Sequence, residues 1–320
     1  MWRTRPRVCL SFHSSNRTRG RVRHLSHRSE VPLSSVDSPS IIPRGRAHKG
    51  RSGERDSRVK DLFLGIDVGS TTTKAVALSG DRIAGEAILA TGPSCARTAR
   101  QARDAALRSA GAAEADVAAT VSTGYGRKMV DFASESVSEI TANAAGAKFL
   151  THGHVRTVVD VGGQDSKAIA LDDSGRVVDF AMNDKCAAGT GRFLEVMARR
   201  LELDLETLAA AGLSSSSPLP ITSLCTVFAE SEVVGLLSEG KKVEDIVAGI
   251  HEAVAARVGA LVRRVGLRTP ALFDGGAALN EGLRRALEKN LGVELILPDR
   301  PQFVVATGAA ILAREKSASR

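Results

Sequence analysis

The chain has 320 residues, of which 43% are hydrophobic and only 3% aromatic, and its formal net charge at pH 7 is +8. So few aromatic side chains argue against the stacking surfaces that bind single-stranded nucleic acid, and no apolar run reaches the roughly 18–20 residues that span a bilayer. We therefore expect neither a nucleic acid nor a membrane as partner. The charge is uneven, because residues 1–60 contain 15 Lys and Arg against 4 Asp and Glu, whereas residues 61–320 contain 29 against 32.

The first 60 residues are rich in Arg and Ser and have neither helical nor strand periodicity. We predict that they form a disordered basic extension, either translated upstream sequence or a tail before a domain that begins near Asp61. A transit peptide and a nucleic-acid-binding arm are the alternatives. The four cysteines include no CxxC pair, which argues against a zinc ribbon or thioredoxin motif and predicts a reduced, cytoplasmic protein.

The predicted domain opens with a strand–turn–strand pattern that occurs twice. An apolar strand at 62–66 passes through a Gly/Ser/Thr-rich turn into a second strand at 74–78. The pattern returns 93 residues later, where Asp160, Gly162 and Lys167 repeat the spacing of Asp67, Gly69 and Lys74. This duplication predicts one domain at 61–320 with two related subdomains, roughly 61–150 and 151–320, each presenting a hairpin turn.

The remaining elements follow in chain order. Between the two copies the pattern predicts a helix over 96–110, a buried strand over 118–122 and a helix over 135–151. After the second copy, which ends in a strand at 168–171, helices are predicted over 190–203, 226–239, 243–265 and 279–290. Short strands at 271–273 and 293–297 and a last helix at 306–313 complete the list. Strands mixed with helices in this way predict an α/β layered fold.

Both hairpin turns contain the parts of a phosphate site. Glycine lets backbone N–H donors approach a phosphate closely, hydroxyls and a lysine add donors and charge, and a strand-end carboxylate can hold Mg²⁺ through water. Neither GxxxxGK[ST] nor GxGxxG occurs, so no P-loop or Rossmann site is predicted. Two ordinary glycine-rich hairpins are the alternative, but a third turn at Asp274-Gly275-Gly276 argues against coincidence.

These three turns resemble those of the superfamily of actin, sugar kinases and heat-shock proteins, in which two duplicated, ribonuclease H-like subdomains close around ATP and Mg²⁺. The resemblance implies that the phosphates contact Ser70, Thr71, Thr72, Thr73, Lys74, Gly162, Gly163 and Gln164. It implies that Asp67 and Asp160 organise Mg²⁺ and water, and that Gly275, Gly276 and Gln302 lie near the nucleoside. Gln164, or Asp160 through a water, is the candidate for orienting the attacking water.

Cys186 and Cys225 each stand at the start of a predicted helix. A helix N-terminus carries partial positive charge, lowers the pKa of a thiol and suits an anionic cluster. Two thiolates are half of the four that usually hold a 4Fe–4S cluster, and a two-fold homodimer would supply the other two. From placement alone, two inert buried cysteines are the equal alternative.

The segments Asn183–Glu195 and Cys225–Val233 resemble the activator ATPases of 2-hydroxyacyl-CoA dehydratases, whose family (BadF/BadG/BcrA/BcrD type) includes the ATPase subunits of benzoyl-CoA reductases. The likeness runs from about Leu62 to Ala313. It implies a homodimer with one 4Fe–4S cluster bridging four cysteines. It also implies ATP-driven transfer of a low-potential electron to a 2-hydroxyacyl-CoA dehydratase or related CoA-ester reductase, with ferredoxin or flavodoxin as electron donor. Asn143 and Asp274 depart from the family pattern, where His and Thr or Ser are frequent.

Other functions stay open from the sequence. An ATPase subunit of a benzoyl-CoA reductase has the same motifs, a small-molecule kinase of this fold would need a catalytic carboxylate for which only Asp160 is a candidate, and a non-catalytic ATP-binding regulator needs neither iron nor phosphoryl transfer. The segment Thr123–Arg127 matches the family pattern but is assigned no chemistry. We interpret Cys95 as a bystander and His251 as a structural residue.

Overall fold

Two five-stranded sheets of the same topology form the frame of the protein. A computed structural model describes residues 61–223 and 225–318, so the predicted extension at 1–60 lies outside the described residues. The strands of the first sheet are β1 (Leu62–Val68), β2 (Thr72–Ser79), β3 (Arg82–Ala90), β4 (Val117–Thr123) and β5 (Glu135–Ser136). Those of the second are β6 (Thr157–Val161), β7 (Ser166–Leu171), β8 (Val177–Asn183), β9 (Ala271–Asp274) and β10 (Leu295–Ile296).

The strand order is β3-β2-β1-β4-β5 in one sheet and β8-β7-β6-β9-β10 in the other. In both, the first three strands of the chain pair antiparallel through hairpins, and the next two add in parallel on the far side. The duplication that the spacing predicts is therefore present in the backbone topology, and the predicted α/β class is confirmed.

Eight helices accompany the sheets in the described part of the chain: α1 (Cys95–Ala110), α2 (Glu139–Leu150), α3 (Gly191–Arg200), α4 (Leu205–Leu213), α5 (Thr226–Ser238), α6 (Val243–Val265), α7 (Glu281–Leu291) and α8 (Val304–Ala318). Side chains fix several of their beginnings. Ser94, Asp204 and Asn280 accept the backbone N–H of the third helical residue of α1, α4 and α7, which satisfies a donor that the helix leaves free. No helix among the described residues is long and apolar enough to cross a membrane.

Most predicted elements are confirmed within a few residues, and α6 agrees at both ends. The helix predicted over 135–151 is wrong at its beginning, because residues 135–136 extend the first sheet and α2 starts only after Ser138. The sequence patterns miss β3, β8 and α4. Both strands lie at sheet edges, and β8 is exposed over its first four residues, so neither shows the regular alternation by which a half-buried strand is recognised.

The helices α2 and α8 join the two halves. Ala144 and Ala147 of α2 pack against β6, β7 and β9 of the second sheet, whereas Ala306 and Ala310 of α8 pack against β2 of the first. The two helices touch through Gly308, where any Cβ atom would overlap the carbonyl of Ala142. The last helix of the chain thus belongs by packing to the first sheet, which lets one cleft form between two closely joined halves.

Candidate nucleotide site and cysteine pair

A cleft of about 610 Å³ lies between the two hairpin turns. Most of the residues predicted to bind nucleotide or Mg²⁺ line it: Asp67, Ser70, Thr71, Thr72, Lys74, Asp160, Gly162, Gly163, Gln164, Gly275 and Gln302. Two predicted residues do not. The side chain of Thr73 is buried, and its hydroxyl lies 2.8 Å from that of Thr91. Gly276 lies beside the cleft, where a Cβ atom would be 3.9 Å from Nε2 of Gln302.

Each turn holds its lysine against its aspartate by strand register. Asp67 pairs with Lys74 across β1 and β2, and Asp160 pairs with Lys167 across β6 and β7. The lysine Nζ lies 3.2 Å from Oδ2 of Asp67 in the first turn and 3.0 Å from Oδ2 of Asp160 in the second. Both aspartates are almost fully buried, so each carboxylate is fixed at the end of its strand.

A left-handed glycine lies against the other oxygen of each aspartate. Gly124, after β4, has φ +86°, and a Cβ atom there would lie 2.5 Å from Oδ1 of Asp67. Gly275, after β9, has φ +85°, and its Cβ would lie 2.6 Å from Oδ1 of Asp160. Because a side chain would both strain the backbone and collide with the carboxylate, glycine is required at both positions.

The second lysine lies in the more acidic environment. Nζ of Lys167 is 3.0 Å from Asp160, 2.9 Å from Asp165 and 3.6 Å from Glu139. Burial opposes its charge, but these three carboxylates raise the pKa of Lys167 above its ordinary value. Burial raises the pKa values of Glu139 and Asp165, and Lys167 opposes both shifts. Asp165 and Glu139 are not among the predicted site residues, although the repeat places Asp165 two residues before Lys167.

The two turns also meet directly. A Cβ atom on Gly163 would overlap Oγ1 of Thr71. Glycine at this position therefore lets the first and second turns approach each other, and any larger residue would separate them.

Asp274 and Asn143, the two positions that depart from the family pattern, are neighbours in the fold. Asp274 is fully buried and pairs in register with Asp160 across β9 and β6. Neither of its carboxyl oxygens has a hydrogen bond of ordinary length within the described residues. Burial raises the pKa of Asp274 well above its usual range, Asp160 adds to the rise, and the nearby amide of Asn143 opposes it. Burial therefore favours the neutral form of this carboxyl.

Cys186 and Cys225 are both free and exposed, and they are held differently. Cys225 immediately precedes α5 and is its N-cap residue, as predicted. For Cys186 the prediction of a helix start is wrong, because α3 begins only at Gly191. The amide of Asn183 donates hydrogen bonds to the carbonyls of Cys186 and Ala188, which folds this stretch into a loop.

The loop that carries Cys186 is hydrogen-bonded to the second hairpin turn. The backbone N–H of Gly191 donates to the carbonyl of Gly162 at 2.9 Å, and that of Arg192 donates to Gly163 at 2.8 Å. The hydroxyl of Ser166 donates to the carbonyl of Gly189. The end of the cysteine loop and the turn thus form one hydrogen-bonded unit. Its backbone contacts leave no signal in the sequence.

Three residues that were given no role line the cleft. Tyr125 and Arg127, from the loop after β4, and Cys95, at the first position of α1, all face it. His251 instead lies buried in α6, with Nε2 3.2 Å from Nδ2 of Asn280. Burial lowers the pKa of His251 to about 4, so at neutral pH the ring is uncharged.

The duplicated sheets, the paired turns and the cleft between them define an actin-like ATPase. Residues 64–313 match the model of the BadF/BadG/BcrA/BcrD ATPase family, and the chain belongs to this family. The predicted fold class, family and ATPase class are thereby confirmed.

Characterised relatives cover most of the chain. It is 44% identical over 260 residues to the 2-hydroxyisocaproyl-CoA dehydratase activator of Clostridioides difficile, an alignment that covers 79% of this chain and 95% of the relative. It is 45% identical over 257 residues to the (R)-2-hydroxyglutaryl-CoA dehydratase activating ATPase of Acidaminococcus fermentans. This second alignment covers 80% of this chain and 98% of the relative.

A solved structure of the first activator contains bound ADPNP. It superposes on this chain with a TM-score of 0.77 at 42% sequence identity and covers 81% of this chain and 96% of its own. A relative of the same fold thus binds an ATP analogue.

Proposed function

We propose that this ATPase is an activator that, as a homodimer, holds one 4Fe–4S cluster between Cys186 and Cys225 of both subunits and delivers a low-potential electron to a dehydratase-type partner. The partner would be a 2-hydroxyacyl-CoA dehydratase, since the relatives described above activate enzymes of that class. Ferredoxin or flavodoxin would reduce the protein. The free thiols of Cys95, Cys186 and Cys225 support a reducing, cytoplasmic location for this protein.

Hydrolysis would rest on positioning and charge around the phosphates. Lys74 and the backbone N–H groups of both turns would bind the phosphate oxygens, and Asp67 and Asp160 would hold Mg²⁺ through its waters. Gln164 is exposed at the second turn and lines the cleft, so its amide can orient the attacking water. Gly275 and Gln302 line the end of the cleft where the nucleoside would lie.

The cysteine site has features that fit an anionic cluster. Both thiols are exposed, and Cys225 stands at the positive end of α5. Arg257 has one buried N–H group, Nη1, without a partner among the described residues, and the thiols of Cys186 and Cys225 are close enough to influence its pKa. A 4Fe–4S cluster bound there would supply a one-electron carrier whose potential depends on charge and hydrogen bonding.

One chain supplies two of the four cysteines, so a second copy must complete the set. Two large apolar side chains, Val227 and Phe228, lie two and three positions after Cys225 and are 65% and 68% exposed. An exposed apolar surface beside the thiol supports contact with a second protein chain at this place.

The observation that carries the proposal is the hydrogen-bonded unit of the second phosphate turn and the Cys186 loop. Gly162 and Gly163 accept from the first residues of α3, and Ser166 holds Gly189, three residues from Cys186. A shift of this turn when ATP binds or its γ-phosphate leaves would move the Cys186 loop as well. These contacts support a coupling between nucleotide state and cysteine geometry.

The test is iron and sulfide analysis of anaerobically purified protein, with its visible spectrum recorded before and after ATP is added. We expect four iron atoms per dimer, ATP hydrolysis, and a spectrum or air sensitivity that changes with nucleotide. Cys186→Ser and Cys225→Ser should each abolish iron binding and leave the fold intact, as measured by circular dichroism. Cys95→Ser is the matched control and should retain iron.

Iron-free protein from both aerobic and anaerobic preparations, together with full function of both cysteine variants, would exclude the redox role. Transfer of the γ-phosphate to a sugar without iron would point to a kinase. Nucleotide binding with neither iron nor phosphoryl transfer would indicate a regulator.

A further inference from the structure

Arg257, in the middle of α6, joins the two segments that carry the cysteines. Its Nη2 donates a hydrogen bond to the carbonyl of Ser223 at 3.1 Å, two residues before Cys225. Its aliphatic part packs on the other segment, since a Cβ atom at Gly189 would lie 3.3 Å from Cβ of Arg257. One side chain thus contacts both the Cys225 segment and the Cys186 loop.

The guanidinium also brings a half-buried positive charge to this region. It lies over the ring of Phe193 in α3, with Cζ 5.9 Å from the ring centroid, and Nη1 is buried without a partner among the described residues. Burial lowers the pKa of Arg257, while Cys186 and Cys225 raise it. This half-buried cation interacts with both thiols and has an N–H group without a hydrogen-bond acceptor among the described residues. It is therefore suited to interact with an anionic group bound by those thiols.

We infer that Arg257 is a positioning residue of the cysteine site, which fixes the Cys186 and Cys225 segments relative to each other and offsets the negative charge of a cluster held by their thiolates. The inference rests on the proposed function. By two-fold symmetry each subunit would contribute one such arginine. A nearby cation stabilises the more negative, reduced form of a cluster and so raises its reduction potential.

Two measurements on the Arg257→Gln variant separate the effect of the arginine's charge on the cluster from its role in holding the two segments together. In the anaerobic, iron-loaded dimer, EPR-monitored redox titration should show a lower midpoint potential, by about 59 mV if the reduced form is disfavoured about tenfold in a one-electron couple. In the iron-free protein, amide hydrogen exchange should become faster at 184–190 and 217–223, because the tie between these segments is lost.

Arg257→Lys keeps the positive charge but lacks the planar guanidinium with its several N–H donors. The midpoint potential of its cluster should therefore stay near that of the unmodified protein, while amide hydrogen exchange at 217–223 becomes faster. Arg264→Gln is the matched control, since Arg264 lies exposed on the same helix, and it should change neither property. If Arg257→Gln leaves both the potential and the exchange rates equal to those of the control, the inference is overturned.

The two proposals can fail separately. If the unmodified protein binds no iron, the proposed function and the charge role of Arg257 are both rejected, and the exchange measurement on iron-free protein still decides the positioning role. If the unmodified protein binds iron and Arg257→Gln behaves as Arg264→Gln, only the role of Arg257 is rejected.

Discussion

The two hairpin turns have the same strands, spacing and lysine–aspartate pair, but they are connected to different surroundings. In the first turn the hydroxyl of Thr73 bonds to Thr91, and that of Thr91 donates to the carbonyl of Gly69, so the contacts stay within one sheet. At the equivalent position of the second turn, Ser166 donates to Gly189 in the Cys186 loop. The first turn is thus tied to its own sheet, whereas the second is tied to the Cys186 loop and, under the proposed function, could pass a movement to the cysteines.

The strongest contrast between the halves is electrostatic. Lys74 has one carboxylate partner, whereas Lys167 has three and is more deeply buried. We expect Lys167→Met to lower the free energy of unfolding by about 3–5 kcal/mol, because it leaves buried carboxylates without a counter-charge, and Lys74→Met to cost about half as much. Urea unfolding of both variants measures this. Equal losses of unfolding free energy in the two variants would show that Glu139 and Asp165 do not add to the effect of Lys167.

Lowering the pH should reduce the folding stability of the second half of the domain more than that of the first, because residues 61–150 contain no histidine. His251 has a pKa of about 4 when folded, so the unfolded chain binds its proton first as the pH falls from about 6.5. Stability should therefore drop between pH 6.5 and 4, by about 3 kcal/mol in total. Glu139 and Asp165, whose pKa values are raised, act in the opposite direction.

The difference in pH dependence between the unmodified protein and His251→Asn isolates this effect in urea unfolding. His154→Asn, at an exposed position, should leave the dependence unchanged. A His251→Asn protein with an undiminished acid response would contradict the assignment.

Exchanging equivalent residues between the turns tests their close approach. Gly163 corresponds to Ser70 in the repeat. Gly163→Ser should lower the rate of ATP hydrolysis by about 10²-fold, because the new side chain collides with Thr71 and displaces the reacting groups. Ser70→Gly, the reverse exchange at an exposed site, should have a much smaller effect. Comparable rates for both variants would mean that the turns need not meet.

The link from the second turn to Cys186 can be measured without iron. In a background of Cys95→Ser and Cys225→Ser, the rate of Cys186 alkylation should differ with and without a non-hydrolysable ATP analogue. Ser166→Ala should reduce this difference about fivefold, which corresponds to the loss of one hydrogen bond of about 1 kcal/mol. Thr73→Val, at the equivalent position of the first turn, should not. If both variants respond alike, the coupling does not pass through Ser166.

The smallest expected effect concerns the strands beside the turns. Asp274 occupies the position that Thr123 has in the first half, next to a left-handed glycine. Asp274→Thr should raise the free energy of unfolding by about 1 kcal/mol, since a buried hydroxyl costs less than a buried carboxyl. Thr123→Asp, the reverse change, should lower it. A lower free energy of unfolding in Asp274→Thr would indicate that the interaction between Asp274 and Asn143 stabilises the folded protein.

Local patterns predicted most of the regular elements, though not β3, β8 and α4, and they predicted both hairpin turns, because strand ends, glycines and lysines leave a signal at fixed spacing. The patterns could not predict contacts made through the backbone, such as that between Gly191 and Gly162, or a partner far away in the chain, such as Arg257. The start of α3 was predicted within one residue, but Cys186 does not stand at it, because the amide of Asn183 holds the stretch between Cys186 and Ala188 as a loop. Thr73 was predicted to contact phosphate from its position in the motif. Its place in β2 instead buries its side chain against Thr91.

The return of α8 to the first sheet has a consequence for how the protein is made. Val76 and Leu78 of β2 are covered by Phe303, Ala306 and residues further along α8, more than 220 positions later in the chain. During synthesis this apolar face of the first sheet therefore stays uncovered by these residues until the chain has been made to about residue 311 and that segment has left the ribosome. A ribosome-bound nascent chain that ends before residue 300 should need a chaperone to stay out of aggregates.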